Sequence, residues 1–213
     1  MKRIQLHAYA KINLTLDVTG KRPNGYHDVE MIMQQISLCD EVTVNWEAGS
    51  VKRGKPDQTG IQIQLTVSRP DLPADSSNLA WKAAEEMIAE FGGPADGNAK
   101  TAAGTDAASG SSKATAGTGA AGGVLTIDIQ KQIPMAAGLA GGSSNCAAVL
   151  HAINQLWELN LSVKELCRIG ARLGSDVPFC IMGQAAAEEA LGLRHFRRLS
   201  DRNGDAPPYR KCF

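Results

Sequence analysis

The sequence predicts an α+β protein, and three observations carry that prediction. Apolar and polar residues alternate before position 68 and again from Val124 to Gln130, where Leu125, Ile127 and Ile129 share one face. Apolar residues recur at helical spacing at Val149, Leu150, Ile153, Leu156 and Trp157, which predicts a strongly amphipathic helix. Between those two stretches lies a run of small residues, so the order is strand, glycine-rich loop, helix.

Residues 3–19 read as a strand with a short break. From Ala8 the even positions Ala8, Ala10, Ile12, Leu14, Leu16 and Val18 are apolar, which leaves Lys11 and Asn13 together on the opposite, polar face. A lysine so placed serves either as a solvated surface group or as a site residue. Gly20 to Gly25 is dense in turn formers, and Tyr26 and His27 open a second extended run to about Leu38. Glu41 to Trp46 reads as a third run with Val42, Val44 and Trp46 inward, and Ile61 to Val67 as a fourth. Asp75, Ser76, Ser77 and Asn78 offer caps for a helix that buries Ala80, Ala83, Ala84, Met87, Ile88 and Phe91.

From Gly93 to Gly123 the chain is mostly Ala, Gly, Ser and Thr with no large apolar side chain before the end. Such a segment buries too little surface to offset its ordering entropy, which predicts a disordered insertion. After the glycine loop and its helix, Ser162 to Glu165 forms a capping box, opening a helix with Leu166, Ile169 and Leu173 that Gly174 ends. Asp176 then precedes Val177-Pro178-Phe179 and the apolar Cys180-Ile181-Met182; on spacing alone it is a turn cap or a catalytic carboxylate.

The loop Lys131-Gln132-Ile133-Pro134-Met135-Ala136-Ala137-Gly138-Leu139-Ala140-Gly141-Gly142-Ser143-Ser144-Asn145 suits an anion. A helix start presents unpaired N–H groups and the positive end of its dipole. Glycines at 138, 141 and 142 allow close approach and positive φ, and Ser143 and Ser144 either cap the helix or donate to phosphate. A flexible connection with a serine cap is the alternative. No Walker-type Gly-x-x-x-x-Gly-Lys-Ser/Thr occurs, and no dinucleotide-type glycine pattern follows a strand closely.

The 213 residues carry 22 basic and 22 acidic side chains, a formal charge of zero that gives no reason to expect a nucleic-acid partner. No apolar run reaches membrane-span length and no secretory segment opens the chain, so a cytoplasmic protein without a membrane role is expected. Cys39, Cys146, Cys167, Cys180 and Cys212 lack Cys-x-x-Cys spacing and are expected to be reduced thiols. The four histidines show no metal-ligand spacing, and no protein metal site is expected.

Pro134, Gly138, Leu139, Gly142, Ser143 and Ser144 resemble the Pro-x-x-x-Gly-Leu-x-x-(Gly/Ser)-Ser-Ser signature of the GHMP small-molecule kinases. Two further blocks agree. Ala10 to Leu14 with Gly20-x-x-x-x-Gly25-Tyr26-His27 resembles the opening of the family branch acting on a cytidine-diphosphate ester of methylerythritol. Gly174 to Phe179 resembles that branch's catalytic-aspartate segment, and Asn78-Leu79 also fits. The likeness covers residues 4–185. It implies the N-terminal domain of the family, a mixed β-sheet with helices packed on one face in a ribosomal-protein-like βαβ fold. It further implies a domain at 1–185, an insertion at 93–123 and an atypical tail at 186–213. The second domain of the family is expected to be missing, with exposed apolar surface where it would pack.

The resemblance also implies the chemistry: transfer of the γ-phosphoryl group of ATP to a hydroxyl of the methylerythritol moiety, in the non-mevalonate route to isoprenoid precursors. Asp176 is implied as the base, and Lys11 as the cation that keeps it ionised and offsets charge developing on oxygen. Pro134 to Ser144 would wrap the phosphates, with Mg²⁺ held through their oxygens. Asn13, Tyr26 and His27 would face the cytidine-diphosphate substrate, and Asn78 and Lys131 the adenosine. Homoserine, mevalonate or a sugar as acceptor, or a nucleotide-binding remnant without transfer activity, are the alternatives.

Overall fold

The computed structural model describes residues 1–21, 27–49, 60–94 and 122–190, with the backbone alone at 27–29 and 184–190. Two long strands open the chain, β1 (Lys2–Lys21) and β2 (His27–Ala48), followed by β3 (Ile61–Val67). Helix α1 (Leu79–Phe91) then leads to β4 (Gly123–Gln130), and α2 (Gly141–Leu156), α3 (Val163–Leu173) and α4 (Val177–Ala190) complete the fold. The sheet order is β1-β2-β4-β3. β1 with β2 and β2 with β4 are antiparallel, whereas β3 and β4 run parallel and are linked through α1. The result is the expected mixed sheet with helices on one face.

The alternation in β4 is legible as burial: Leu125, Ile127 and Ile129 are buried and meet Val42, Val44, Trp46 and Leu65 from the neighbouring strands. The expected second and third extended runs are one strand. Their patterns fall out of phase because β2 is irregular where it crosses Lys11: Tyr9 pairs with Cys39, yet Lys11 pairs with Gln35. Beyond this shift the apolar positions of β1 leave the core. Leu14, Leu16 and Val18 are 57%, 50% and 61% exposed, contrary to the buried face that their spacing predicts. Among the described residues nothing covers this part of β1, so alternation there marks a strand without a buried side.

Helix α1 is capped as its sequence predicts. The Asn78 side chain accepts a hydrogen bond from the Ala80 N–H, and Gly92 closes the end in a left-handed conformation. Helix α2 differs from the amphipathic prediction. Ala147, Ala148 and Ala152 are buried as completely as Val149, Leu150 and Ile153, because the helix lies between the sheet, α1 and α4. An element apolar nearly all round belongs inside. Two of its buried polar residues are satisfied: Asn154 exchanges hydrogen bonds with the Leu161 backbone, and His151 meets the Ile181 carbonyl.

The capping box of α3 is present, with both Ser162–Glu165 contacts formed. Helix α4 is not among the sequence-predicted elements. Pro178 lies in its first turn, where a missing N–H costs nothing, so it belongs to the start of a helix and not to a break. Gly170 lets α3 and α4 meet closely: a β-carbon there would stand 2.7 Å from both the Ile181 and the Val177 side chains. The expected insertion at 93–123 lies, apart from its ends, outside the described residues. Gly123 already belongs to β4, where a β-carbon would come within 2.6 Å of the Trp46 ring. Helix α4 continues past position 185 to Ala190, and 191–213 lie outside the described residues.

Candidate active site

A cleft of about 450 Å³ opens where β4 ends and α2 begins. Pro134 to Gly142 form its rim, and Val67, Leu72 and Ile129 contribute an apolar wall. The loop reaches this shape with left-handed residues at Ala136 (φ 52°), Gly138 (φ 71°) and Ala140 (φ 56°). Among the expected positions only Gly138 has positive φ. Gly141 serves close packing instead, since a β-carbon there would lie 3.1 Å from Ile133 and 3.2 Å from the Lys131 ammonium.

The start of α2 is open. Its N-cap is Ala140, which supplies no side-chain hydrogen bond, so neither Ser143 nor Ser144 caps the helix as expected. The first helical bond runs from the Ser144 N–H to the Ala140 carbonyl. The N–H groups of Gly141, Gly142 and Ser143 therefore lack an intrahelical acceptor and point to the cleft end of the dipole. The Ser143 side chain is partly exposed beside them. Ser144 faces inward: its hydroxyl donates to the Tyr9 carbonyl at 2.5 Å and lies 3.4 Å from the Cys180 thiol. These contacts tie α2 to β1 and α4.

Lys11 and Asp176 come together at one end of this loop. The Lys11 ammonium lies 3.5 Å from the Asp176 carboxylate, with side chains 6% and 31% exposed, and donates to the Asn13 side-chain oxygen at 3.0 Å. Spacing places Lys11 on a polar face, yet it is buried: the irregular pairing with β2 and the packing of α2 and α4 against β1 enclose it. Its backbone N–H donates to the Leu139 carbonyl at 3.0 Å, which fixes the glycine loop to the strand that carries the lysine. Asp176 immediately precedes α4, where its carbonyl accepts the Cys180 N–H. Burial pushes the Cys180 thiol up to about 11, so the group behind the pair stays neutral.

The two residues expected on the adenosine side hold the fold as well as line the cleft. Asn78 spends its oxygen on the α1 cap and donates its amide to the Pro73 carbonyl. Lys131 is ion-paired with Asp40, a fully buried carboxylate. Asn145 is a further lining residue that no motif spacing singles out. It is 4% exposed, and its side-chain oxygen is buried without a hydrogen-bond partner. A small polar residue in the second turn after a glycine loop is the only signal the sequence offers. Tyr26 lies outside the described residues, and of His27 only the backbone at the start of β2 is described. Among the described residues no three His, Cys, Asp or Glu side chains gather as a metal site, and no helix is long and apolar enough to cross a membrane.

The chain is similar to curated proteins and to a solved structure. The chain is 41% identical over 192 residues to the "4-diphosphocytidyl-2-C-methyl-D-erythritol kinase" of Alkaliphilus metalliredigens, covering 90% of this chain and 53% of that protein. It is 42% identical over 192 residues to the protein of the same name from Alkaliphilus oremlandii, covering 90% and 52%. A crystal structure of 4-(cytidine 5'-diphospho)-2C-methyl-D-erythritol kinase superposes with a TM-score of 0.56 at 28% identity, covering 84% of this chain and 49% of that one. The chain thus spans about half the length of the curated relatives it matches. The family pattern "GHMP kinases N terminal domain" matches residues 78–184, half of the sequence, and with the open-ended α2 and its glycine loop inside that match, the chain belongs to the GHMP kinases.

Proposed function

We propose that this chain supplies the nucleotide cradle and the catalytic pair of a kinase that transfers the γ-phosphoryl group of ATP to a hydroxyl of 4-diphosphocytidyl-2-C-methyl-D-erythritol, giving the 2-phosphate. One observation carries the reading: Lys11 and Asp176, 3.5 Å apart, adjoin the uncapped start of α2. The names of the relatives supply the acceptor.

The triphosphate fits the loop because the free N–H groups of Gly141, Gly142 and Ser143 converge with the helix dipole, and the loop rim from Pro134 to Ala140 encloses the chain of phosphates. The adenine ring packs on the apolar wall with Met135, while Asn78 and Asn145 offer polar atoms at its edge. Asp176 accepts the proton of the acceptor hydroxyl as that oxygen bonds to the γ-phosphorus and the bond to the ADP oxygen breaks. Lys11 favours the ionised carboxylate and stabilises charge at the reacting oxygen. The Ser143 hydroxyl would help hold Mg²⁺ on the phosphates, where the ion would neutralise charge on the leaving group. Asn13, Tyr26 and His27 are assigned to the cytidine diphosphate. Residues 1–185 are assigned as one domain with an insertion at 93–123. The unpaired thiols among the described residues fit a reducing cytoplasm.

A substrate panel read by ADP release tests the acceptor: turnover is expected with the cytidine-diphosphate ester and not with homoserine, mevalonate or a sugar. Asp176→Asn is expected to lower transfer by on the order of 10²–10⁴ while ATP binding persists. Unchanged turnover in that variant would remove Asp176 from its role.

A further inference from the structure

Asp40 lies in β2, away from the Lys11–Asp176 pair, and no motif includes it. It is 0% exposed, a carboxylate taken wholly out of water. Every acceptor contact it makes goes to the three residues that lead into the glycine loop. One oxygen accepts the Gln132 N–H at 2.7 Å and the Ile133 N–H at 2.8 Å, and the other meets the Lys131 ammonium. These N–H groups lie beyond the last rung of β4, which ends at Gln130, so the sheet does not satisfy them.

We infer that Asp40 is a positioning residue for nucleotide binding, setting the height and direction of the glycine loop as it leaves the sheet; this rests on the nucleotide reading of the cleft. Three ties then hold the loop. Asp40 fixes its entry, the Lys11 N–H to the Leu139 carbonyl fixes its middle, and the Ser144 hydroxyl to the Tyr9 carbonyl fixes its exit. Lys131 completes the device. A bare carboxylate beneath a polyphosphate would repel it, and the ammonium, packed under Gly141, cancels that charge at the base of the cradle. A preorganised loop binds without a further ordering cost, so its loss falls on affinity more than on the chemical step.

Two measurements test this. In the native chain, hydrogen exchange at the Gln132 and Ile133 amides is expected to be as slow as in β4; exchange at open-loop rates would overturn the tether. Lys131→Met combined with Asp40→Asn keeps one acceptor oxygen, whereas Lys131→Met combined with Asp40→Ala keeps none, and both lack the lysine equally. The second pair is expected to bind ATP about tenfold more weakly than the first, with KM raised and kcat changed less. Equal affinities in the two folded variants would overturn the proposal. Absence of ATP binding by the native chain would instead sink the nucleotide reading, and the exchange measurement would still report on the tether.

Discussion

Ala136 and Ala140 hold backbone angles that a β-carbon disfavours by roughly 1–2 kcal/mol each, and both lie in the glycine loop. Strain of that size persists because the ties at Asp40, Leu139 and Ser144 determine the loop from both sides. A branched side chain at the same angle is worse still. Ala140→Val is therefore expected to lower stability by about 2 kcal/mol, as read from the urea midpoint, and to weaken ATP binding with it. The buried thiols make a second residue-level prediction. Burial raises Cys180 from 9.0 to about 11, partly opposed by its Ser144 contact, and raises Cys167 to about 11. The unfolded thiols ionise first, so their contribution to stability is intact below pH 9.0 and declines as pH rises toward 11. Cys180→Ala is expected to shrink the loss of unfolding free energy across that window. An unchanged loss would remove Cys180 as a contributor.

At the scale of elements, local signals and tertiary context divide the outcome. The Asn78 cap, the Ser162–Glu165 box and the period-two face of β4 were legible because each depends on near neighbours. Helix α4 was not, since an apolar triplet after Pro178 fits an extended run as well as a helix until α3 supplies the surface at Gly170. The burial of α2 was also hidden, because alanines count as neutral in a periodicity and become core only when two layers close on them. Likewise Lys11 and Asp176 each had a mundane reading that spacing could not decide, and the fold brings their side chains to 3.5 Å. Ser162→Ala is expected to cost about 1 kcal/mol in denaturant unfolding. Hydrogen bonds from Ser162 hold the Glu165 carboxyl below its ordinary 4.5. That part of the stability is present above pH 4.5 and fades as pH falls through the lowered value, a dependence the variant should weaken, since the N–H of residue 162 still donates to Glu165. Gly170→Val is expected to separate α3 from α4 and lower the melting temperature by several degrees, on the order of 2–4 kcal/mol of overpacking.

At the scale of the whole molecule, Leu14, Leu16 and Val18 form an exposed apolar stripe on one strand, a feature that favours association. Charge provides no counterweight, because acidic and basic residues cancel. Changing Leu14 and Val18 to Thr and Leu16 to Lys is expected to reduce light scattering at a given concentration while leaving the melting temperature unchanged, since none of the three packs in the core. A large drop in melting temperature would show that the arm is covered.

The distance along the chain between Lys11 and Asp176 has a temporal consequence. Lys11 belongs to β1 and Asp176 to the turn before the last described helix, so synthesis adds them far apart in time. A nascent chain that has reached only Leu156 already contains the sheet, the loop and the helix whose start opens on the cleft. On the proposed function, translation therefore completes the sequence of the phosphate loop before it adds the aspartate that takes the proton.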